Sequence, residues 1–260
     1  MELNRDRVLV IVQARMGSNR LPGKVMRELN QKPMIYWQLN RIQQAKMVTT
    51  IVVATSINSE DDILAEYISE IGYEVFRGSS DDVLQRFCGV IDLYPSNVCV
   101  RLTADCPLVM PEILDKMLES YFKSDYDYYS NTISPSYPDG VDIEIFRPQA
   151  LVKLSRYNLQ PFEREHVTIG LYTRPNVFRV GNHTSEINSS SERWTVDYEE
   201  DLDFIRKVYS EFRGRELHFT YEDVLNFLDK HPSIRSKISS ERRNEALKGI
   251  DIYEKPNEAI

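Results

Sequence analysis

The chain has 260 residues, of which 42% are hydrophobic and 28% are charged, so it has enough apolar material for a full core and is not disordered as a whole. Its 32 Lys and Arg residues against 40 Asp and Glu residues give a formal net charge of -8, which disfavours a protein that coats nucleic acid or an anionic membrane. We therefore expect no nucleic-acid partner, and a phosphate ligand must be held by a local group of cations.

The first half of the sequence alternates short apolar runs with amphipathic segments. Residues 8–12 form a continuous, mostly β-branched run, typical of a strand buried on both faces of a parallel sheet, and a polar loop separates it from a helical pattern at 34–42. Further strands are predicted at 51–54, 73–76 and 98–100, and further helices at 59–67, 81–93 and 111–122. Ser59 and Asp62 resemble a capping box at the start of the second helix.

The pattern loosens after residue 126. Strands are predicted at 141–146 and 193–196, an edge or return strand at 177–180, and helices at 149–157, 162–172, 199–212 and 221–229. Repeated alternation of strands and helices predicts an α/β fold of the Rossmann-like type, with a mainly parallel sheet flanked by helices. Such sheets bind ligands beyond the carboxyl ends of their strands, so we expect the functional site in the loops at that edge.

The cysteine content and the hydropathy indicate the compartment. Cys88, Cys99 and Cys106 form no Cys-x-x-Cys pair, so neither a disulfide framework nor a structural zinc site is indicated and a reducing cytoplasm fits best. Charged residues interrupt every apolar block before it reaches the ~20 residues that cross a bilayer. The apolar run near the N-terminus is too short for a signal-peptide core, and we expect a protein without membrane insertion.

The loop that follows the first strand carries the strongest chemical signal. Its sequence is Gln13-Ala14-Arg15-Met16-Gly17-Ser18-Asn19-Arg20-Leu21-Pro22-Gly23-Lys24. Gly17 and Gly23 allow backbone amides to approach phosphate oxygens, and Arg15, Arg20 and Lys24 can neutralise a triphosphate. The spacing matches neither a Walker loop nor Gly-x-Gly-x-x-Gly. The alternative interpretation is a solvated turn whose charges are incidental.

Several motifs, taken in order, resemble known sugar-activating enzymes. Ala14-Arg15-x-x-Ser18-x-Arg20-Leu21-Pro22-Gly23-Lys24 resembles the signature of the CMP-sugar synthetases, the cytidylyltransferases that activate sialic acids and 3-deoxy-manno-octulosonate. Segments 12–18, 77–84, 101–108, 130–132, 137–142, 163–168 and 193–197 are similar to the spore coat polysaccharide biosynthesis protein F family. The resemblance covers residues 8–246 and includes Arg242-Arg243-Asn244-Glu245.

The resemblance implies a nucleotide-diphospho-sugar transferase fold of the GT-A-like type and a set of nucleotide-binding residues. That set is Gln13, Ala14, Arg15, Gly17, Ser18, Arg20, Lys24 and Asp105. With the looser pattern after residue 126 and the polar, basic sequence from residue 231, the resemblance predicts one domain over residues 1–230, with a nucleotide half over about 1–125 and an acceptor-sugar half over about 126–230, followed by a C-terminal extension over 231–260. A homodimer is implied as well.

Two aspartates are the candidate metal ligands. Asp105 lies at the carboxyl end of a predicted strand, and in the related synthetases the aspartate at this point binds magnesium. The family places a second metal-binding aspartate at Asp197. The alternatives are a turn cap before Pro107 for the first and a helix N-cap for the second.

The resemblance also implies an acceptor-binding set, which comprises Arg101, Asn131, Asp139, Asp142, Glu165 and His166. Asp139 and Asp142 belong to a segment that lies near the acceptor sugar in the family, although an acidic solvated turn explains them equally well. His166 can serve as a general base, but a lone histidine near a helix end is more often structural. Cys106 lacks an adjacent base and is a poor candidate nucleophile.

The residues and the resemblance together predict a magnesium-dependent nucleotidyltransferase that couples a nucleoside triphosphate to an acidic or modified sugar, or a sugar phosphate, of a surface glycan and releases pyrophosphate. The resemblance alone implies that the nucleotide is CTP and that the protein is a cytidylyltransferase. Arg15, Lys24, Asp105 and Asp197 are the candidate catalytic residues. Gln13-Ala14-Arg15-Met16 and Ala104-Asp105-Cys106-Pro107 depart from the sialic-acid and octulosonate enzymes, so their acceptor is not carried over. A glycosyltransferase and a non-catalytic assembly protein of polysaccharide synthesis remain as alternatives.

Overall fold

The computed structural model describes residues 7–235, and a central β-sheet organises them. The strands in chain order are β1 (Val8–Gln13), β2 (Glu28–Leu29), β3 (Lys32–Pro33), β4 (Thr50–Ser56), β5 (Glu74–Gly78), β6 (Val98–Thr103), β7 (Tyr128–Ser130), β8 (Glu144–Phe146) and β9 (Val180–Asn182). Seven of them form one sheet in the order β5-β4-β1-β6-β8-β7-β9, and β2 and β3 form a separate hairpin. The apolar run predicted as the first strand is therefore an interior strand of the sheet, between β4 and β6.

The sheet is mainly parallel, as predicted. β1 pairs in parallel with β4 and β6, β4 with β5, and β7 with β9. Only β8 is reversed in this sheet, because it pairs antiparallel with both β6 and β7. The first residue of β8, Glu144, therefore lies opposite Arg101 and Ser130, near the carboxyl ends of the neighbouring strands.

Helices cover both faces of the sheet. They are α1 (Met34–Ile42), α2 (Asp62–Glu70), α3 (Val83–Leu93), α4 (Pro111–Phe122), α5 (Pro148–Leu154), α6 (Pro161–Glu165), α7 (Ile169–Tyr172), α8 (Glu199–Glu211) and α9 (Tyr221–Lys230). Side chains alternate along β1, so Val10 and Val12 pack with α1, α4, α8 and α9, whereas Leu9 and Ile11 pack with α3, α5 and α7. Residues 7–235 contain no helix that is both long and apolar enough to span a membrane.

Several predicted elements differ in the structure. The capping box predicted at Ser59 is wrong, because residues 59–61 form a 3-10 turn and α2 begins at Asp62. The buried Asp61 carboxylate holds this turn in place, since it accepts from the backbone N–H of Met16 at 2.6 Å and of Ser56 at 3.3 Å. The strand predicted at 193–196 is an extended connection with one bridge, from Arg193 to Asp139. The strand predicted at 141–146 is confined to β8.

The helix predicted at 162–172 is interrupted. Val167 has a φ of 56°, a left-handed conformation that is strained for a β-branched residue, and the Thr168 N–H donates to the His166 carbonyl at 2.6 Å. The chain thus makes a tight turn between α6 and α7, with the Val167 side chain fully buried. The predicted C-terminal extension lies, beyond residue 235, outside the described residues.

Candidate active site

A cavity of about 500 Å³ opens at the carboxyl ends of β1 and β6. This is the point at which the strand order reverses direction along the chain, where open α/β sheets bind their ligands. Every residue of the predicted nucleotide-binding set lines the cavity, together with Thr103 and Asp197. The cation-rich loop and both candidate metal ligands therefore face one space.

The loop over residues 13–24 is held by its own backbone. Gly23 has a φ of 67°, which favours glycine, and its N–H donates to the Met16 carbonyl at 2.9 Å. The Ser18 hydroxyl accepts from the Leu21 N–H at 3.3 Å, so this side chain is already used within the loop. These contacts turn the chain back toward the sheet immediately before Lys24.

The Lys24 ammonium lies between the two candidate metal ligands. Its Nζ is 3.1 Å from Oδ2 of Asp105, 3.0 Å from Oδ1 of Asp197 and 2.7 Å from the Val196 carbonyl oxygen. An ammonium has three N–H donors, so these three acceptors use all of them. Burial works against the charge, but the two carboxylates outweigh it and raise the pKa of Lys24.

Asp105 is held as a carboxylate. Burial alone would raise its pKa, but the Lys24 charge and hydrogen bonds from Thr103 and Lys24 lower the pKa of Asp105 to about 2. The Thr103 hydroxyl donates to Oδ1 at 2.6 Å. Among residues 7–235 the carboxylate accepts from side chains and from no backbone N–H, so the alternative of a turn cap is not what the structure shows.

Gln38 of α1 supports the turn that carries Asp105. Its buried Nε2 donates to the carbonyl oxygens of Thr103 at 2.8 Å and of Cys106 at 3.0 Å. Sequence reasoning missed this residue, although a glutamine on the apolar face of α1 is the signal that could have found it. Burial raises the pKa of the Cys106 thiol well above its usual value, which agrees with its expected lack of nucleophilicity.

Arg193 fixes the orientation of Asp197. Its Nη2 is 2.8 Å from Oδ2 of Asp197, and its Nη1 is 2.7 Å from Oδ2 of Asp139. Burial alone would lower the pKa of Arg193, but hydrogen bonds and charges of Asp201, Asp197 and Asp139 raise it. With Oδ2 engaged by Arg193, Oδ1 of Asp197 faces Lys24 and Arg20, the latter at 3.2 Å.

The helix-cap alternative for Asp197 is not what the structure shows. The N-cap of α8 is Tyr198, and the carboxylate that accepts from the first N–H groups belongs to Asp201. Its Oδ2 accepts from the N–H of Asp197 at 2.9 Å and of Tyr198 at 3.1 Å. The Asp197 side chain therefore does not cap the helix. It lines the cavity and forms ion pairs with Lys24, Arg20 and Arg193.

Asn131 and Asp139, both predicted to bind the acceptor, are buried. The Asn131 amide donates to the Val141 carbonyl at 2.7 Å and accepts from the Ile143 N–H at 2.9 Å, so it fixes the segment before β8. Asp139 forms the ion pair with Arg193. Asp142 follows in the same segment and is half-buried. Direct contact of any of these side chains with a sugar stays a prediction.

The other residues predicted to bind the acceptor lie near Gln13 and Arg15. Glu165 approaches Arg15, with Oε1 at 4.0 Å from Nη2. Arg101 contacts Gln13 and Glu144. Burial, followed by the Arg101 charge, lowers the pKa of His166. The structure thus brings Arg101, Glu165 and His166 toward the predicted nucleotide loop, and it adds Glu144, which sequence reasoning had placed in a strand without giving it a role.

Comparisons with known proteins show the family of this chain. The family model described as cytidylyltransferase matches residues 9–228. The spore coat polysaccharide biosynthesis protein SpsF of Bacillus subtilis (strain 168) is 35% identical over 234 residues, covering 86% of this chain and 95% of that protein.

Solved structures share the fold. A cytidylyltransferase from Leptospira borgpetersenii serovar Hardjo-bovis (strain JB197) has a TM-score of 0.85 and 32% sequence identity, covering 90% of this chain and 98% of that chain. A CMP:2-keto-3-deoxy-manno-octonic acid synthetase complexed with CTP has a TM-score of 0.61 at 17% identity, covering 79% of this chain and 99% of that chain, and this likeness concerns the fold alone. The chain is a nucleotidyltransferase and belongs to the cytidylyltransferase family.

Proposed function

We propose that this protein transfers a cytidylyl group from CTP to an acidic or modified sugar, or a sugar phosphate, with Mg²⁺ as cofactor and release of pyrophosphate. The observation that carries the proposal is the cation position between Asp105 and Asp197 at the edge of a cavity lined by Arg15, Arg20 and Lys24. The name of the SpsF relative supports a role in the synthesis of a surface polysaccharide.

The donor set fits magnesium. Asp105 and Asp197 each place a carboxylate oxygen within about 3 Å of one point, and that point already stabilises a positive charge. Residues 7–235 hold no group of three or more His, Cys, Asp and Glu side chains suited to a metal ion. Magnesium is commonly held by one or two carboxylates, with substrate phosphates and water as its other ligands, so the nucleotide would complete the site.

The protein's own residues account for most of the proposed chemistry. Bound Mg²⁺ would polarise the α-phosphate. An acceptor oxygen attacks the α-phosphorus in line while the bond to the β-phosphate breaks, and Arg15, Arg20 and Lys24 offset the charge on the departing pyrophosphate. Burial lowers the pKa of His166, which favours the neutral imidazole that a general base for the attacking hydroxyl requires.

Lys24 must change partners for this reaction. Its three donors are used by Asp105, Asp197 and Val196, so none is left for a phosphate oxygen. A triphosphate in the cavity offers replacement acceptors of higher charge. We therefore expect Lys24 to leave the carboxylates for the phosphates as the metal–nucleotide complex enters.

The test is pyrophosphate release from each of the four ribonucleoside triphosphates with Mg²⁺, against a panel of acidic sugars and sugar 1-phosphates. CTP-dependent release that requires one acceptor, and that is lost in Asp105→Asn, is the expected result. Release that is equal for all four triphosphates contradicts the specificity for CTP. No release with any member of the panel, together with tight binding of a nucleotide sugar, favours a glycosyltransferase or an assembly protein instead.

The glycosyltransferase alternative has less support from the geometry. An Asp-x-Asp metal motif would need a second carboxylate two residues before Asp105, where this chain has Thr103. The Thr103 hydroxyl donates to Asp105 and adds no negative charge. The homodimer implied by the family resemblance and the cytoplasmic location indicated by the cysteine pattern stay predictions, and light scattering of the purified protein tests the first.

A further inference from the structure

The side-chain amide of Gln13 has only one possible orientation. Arg101 approaches its oxygen with two donors, Nε at 3.1 Å and Nη2 at 3.0 Å from Oε1. A guanidinium carries donors and no acceptor, so the amide group cannot be reversed without placing N–H against N–H. The Nε2 group, with two N–H donors, must therefore point away from Arg101.

Arg101 is itself fixed. Its Nη1 pairs with Oε2 of Glu144, and the other carboxylate oxygen of Glu144 accepts from the Tyr128 hydroxyl at 2.6 Å and from the Thr168 hydroxyl. Both members of the ion pair are largely buried, with side chains 13% and 11% exposed. Thr168 follows the strained Val167, so the tight turn between α6 and α7 supplies one of these hydrogen bonds. A buried and fully paired network of this kind holds its members in one geometry.

The Gln13 amide nitrogen is directed away from Arg101, in a residue that lines the cavity. Within residues 7–235 no group accepts a hydrogen bond from Nε2, and Gln13 lines the cavity beside Arg15 and Asp105. The Gln13 carbonyl accepts from the Ala104 N–H at 2.9 Å, which places Gln13 next to the residue that precedes Asp105. Gln13 and Asp105 both line this cavity, so a phosphoryl group bound there is the acceptor considered for the Gln13 amide.

We propose that Gln13 donates a hydrogen bond to a non-bridging oxygen of the α-phosphate of the bound nucleotide, with Arg101 and Glu144 as its positioning residues. This inference rests on the proposed function, because it takes the ligand of the cavity to be a nucleotide. A neutral amide stabilises charge on an equatorial oxygen without adding a cation that would compete with the metal. It gives Arg101 a role through Gln13 in place of direct contact with the acceptor.

The experiment measures the affinity of three ligands, cytidine, CMP and CTP, by calorimetry in the presence of Mg²⁺. Gln13→Met removes the donors at similar size, and Gln13→Glu keeps an oxygen for Arg101 but turns the other carboxylate oxygen toward the phosphate. Gln44→Met is the matched control, because Gln44 is exposed at the end of α1 and donates only to the Asn40 carbonyl. Thermal melts of all three variants establish that they fold.

Gln13→Met should weaken CMP and CTP by about tenfold, the effect of one hydrogen bond to a charged group, and should leave cytidine unchanged. Gln13→Glu should weaken the binding of CMP and CTP further, and Gln44→Met should leave all three affinities unchanged. Equal losses for all three ligands would place the amide at the base or ribose and overturn the proposal. Unchanged CMP and CTP affinities would overturn it as well.

The same series separates this inference from the proposed function. If the wild type binds another nucleotide in place of CTP, the cytidylyl specificity fails, and the series is run with the nucleoside, monophosphate and triphosphate of that base. A loss confined to the phosphorylated ligands then still supports the role of Gln13. A failure to detect pyrophosphate release with any sugar of the panel does not affect these binding measurements.

Discussion

At the scale of single residues, the ion pairs of Asp105 and Asp197 determine the geometry of the site. Asp197 has one oxygen engaged by Arg193 and the other directed to Lys24 and Arg20, and Asp105 is paired with Lys24. Removing either aspartate removes a charged oxygen from the position proposed for the metal. The two aspartates are therefore the residues for which activity measurements are most decisive.

Asp105→Asn and Asp197→Asn should each lower turnover by about 100-fold or more while the fold is retained, because an amide oxygen is a poor replacement for a charged ligand of a hard cation. Steady-state assays of pyrophosphate release, with circular dichroism to establish folding, check this. The control is Asp115→Asn on α4, whose carboxylate accepts from the N–H groups of Lys46 and Met47 and does not line the cavity. Near-normal turnover in both site variants would contradict the metal assignment.

Lys24 should exclude free metal from the empty site, because it occupies the point between the two carboxylates. Lys24→Met should therefore bind Mn²⁺ in the absence of nucleotide about tenfold or more tightly than the wild type, since an ammonium near 3 Å opposes a divalent cation strongly even at a high effective dielectric constant. Electron paramagnetic resonance measures free Mn²⁺ directly. The double variant Lys24→Met/Asp105→Asn should lose the gain, and equal affinities in wild type and Lys24→Met would contradict the exclusion.

Asp105 also predicts an acid dependence of stability. Its folded-state pKa of about 2 lies below the unfolded value near 3.9, so the ionised group stabilises the fold above about pH 4, and this contribution is lost as the pH falls toward about 2. The loss is about 2 kcal/mol, because the carboxylate is only partly exposed. Urea unfolding at several pH values across that range gives the free energy of unfolding of each protein. This free energy should fall less steeply with decreasing pH in Asp105→Asn than in the wild type. The same dependence of unfolding free energy on pH in both proteins would show that the fold does not lower the pKa of Asp105.

At the scale of elements, local sequence predicted most of the first half of the fold. α4 was predicted with its observed ends, because Pro111 begins it and its apolar residues recur at helical spacing. β1 was predicted from its continuous apolar run. The second half was predicted less well, because β7, β8 and β9 have three residues each and are specified by their neighbours in the sheet.

The break between α6 and α7 shows why tertiary contacts can override a local pattern. Residues 162–172 have a helical pattern, but Thr168 bonds to Glu144 and the buried Val167 joins the core formed with α3 and α5. These contacts outweigh the local cost of a left-handed valine, which is of order 1–3 kcal/mol. No property of the segment alone contains that information.

Val167 should reverse the usual ranking of alanine and glycine. In the middle of a helix or strand, glycine destabilises a protein by roughly 0.5–1 kcal/mol relative to alanine, but glycine adopts a φ of 56° without strain. Val167→Gly should therefore be at least as stable as Val167→Ala in urea unfolding. Val90, buried within α3, is the control, where Val90→Gly should be the less stable of its pair. The same ranking at both positions would argue against strain at Val167.

At the scale of the whole molecule, the site joins segments that are far apart in the chain. Lys24 and Asp197 are separated by 173 residues, and Lys24 and Asp105 by 81. The sequence motifs identified the segments that carry Lys24, Asp105 and Asp197 one by one. The predicted parallel sheet indicated that ligands bind at the carboxyl ends of its strands. Pairing of Lys24 with both aspartates, and of Arg193 with Asp139, depends on the packing of α8 and could not be read from any one motif.

Because residues 193–197 complete the site, the order in which the chain is synthesised sets when it can work. A nascent chain that ends before residue 190 already contains β1, the cation-rich loop and Asp105, but its Lys24 has only one of its three acceptors. The Val196 N–H also donates to the Asp105 carbonyl at 2.8 Å, so the arriving segment secures Asp105 as it supplies Asp197. On the proposed function, a polypeptide still emerging from the ribosome therefore carries the cation-rich loop before it contains both proposed metal ligands, and we expect it to gain transfer activity only after residues 193–197 have been synthesised and packed.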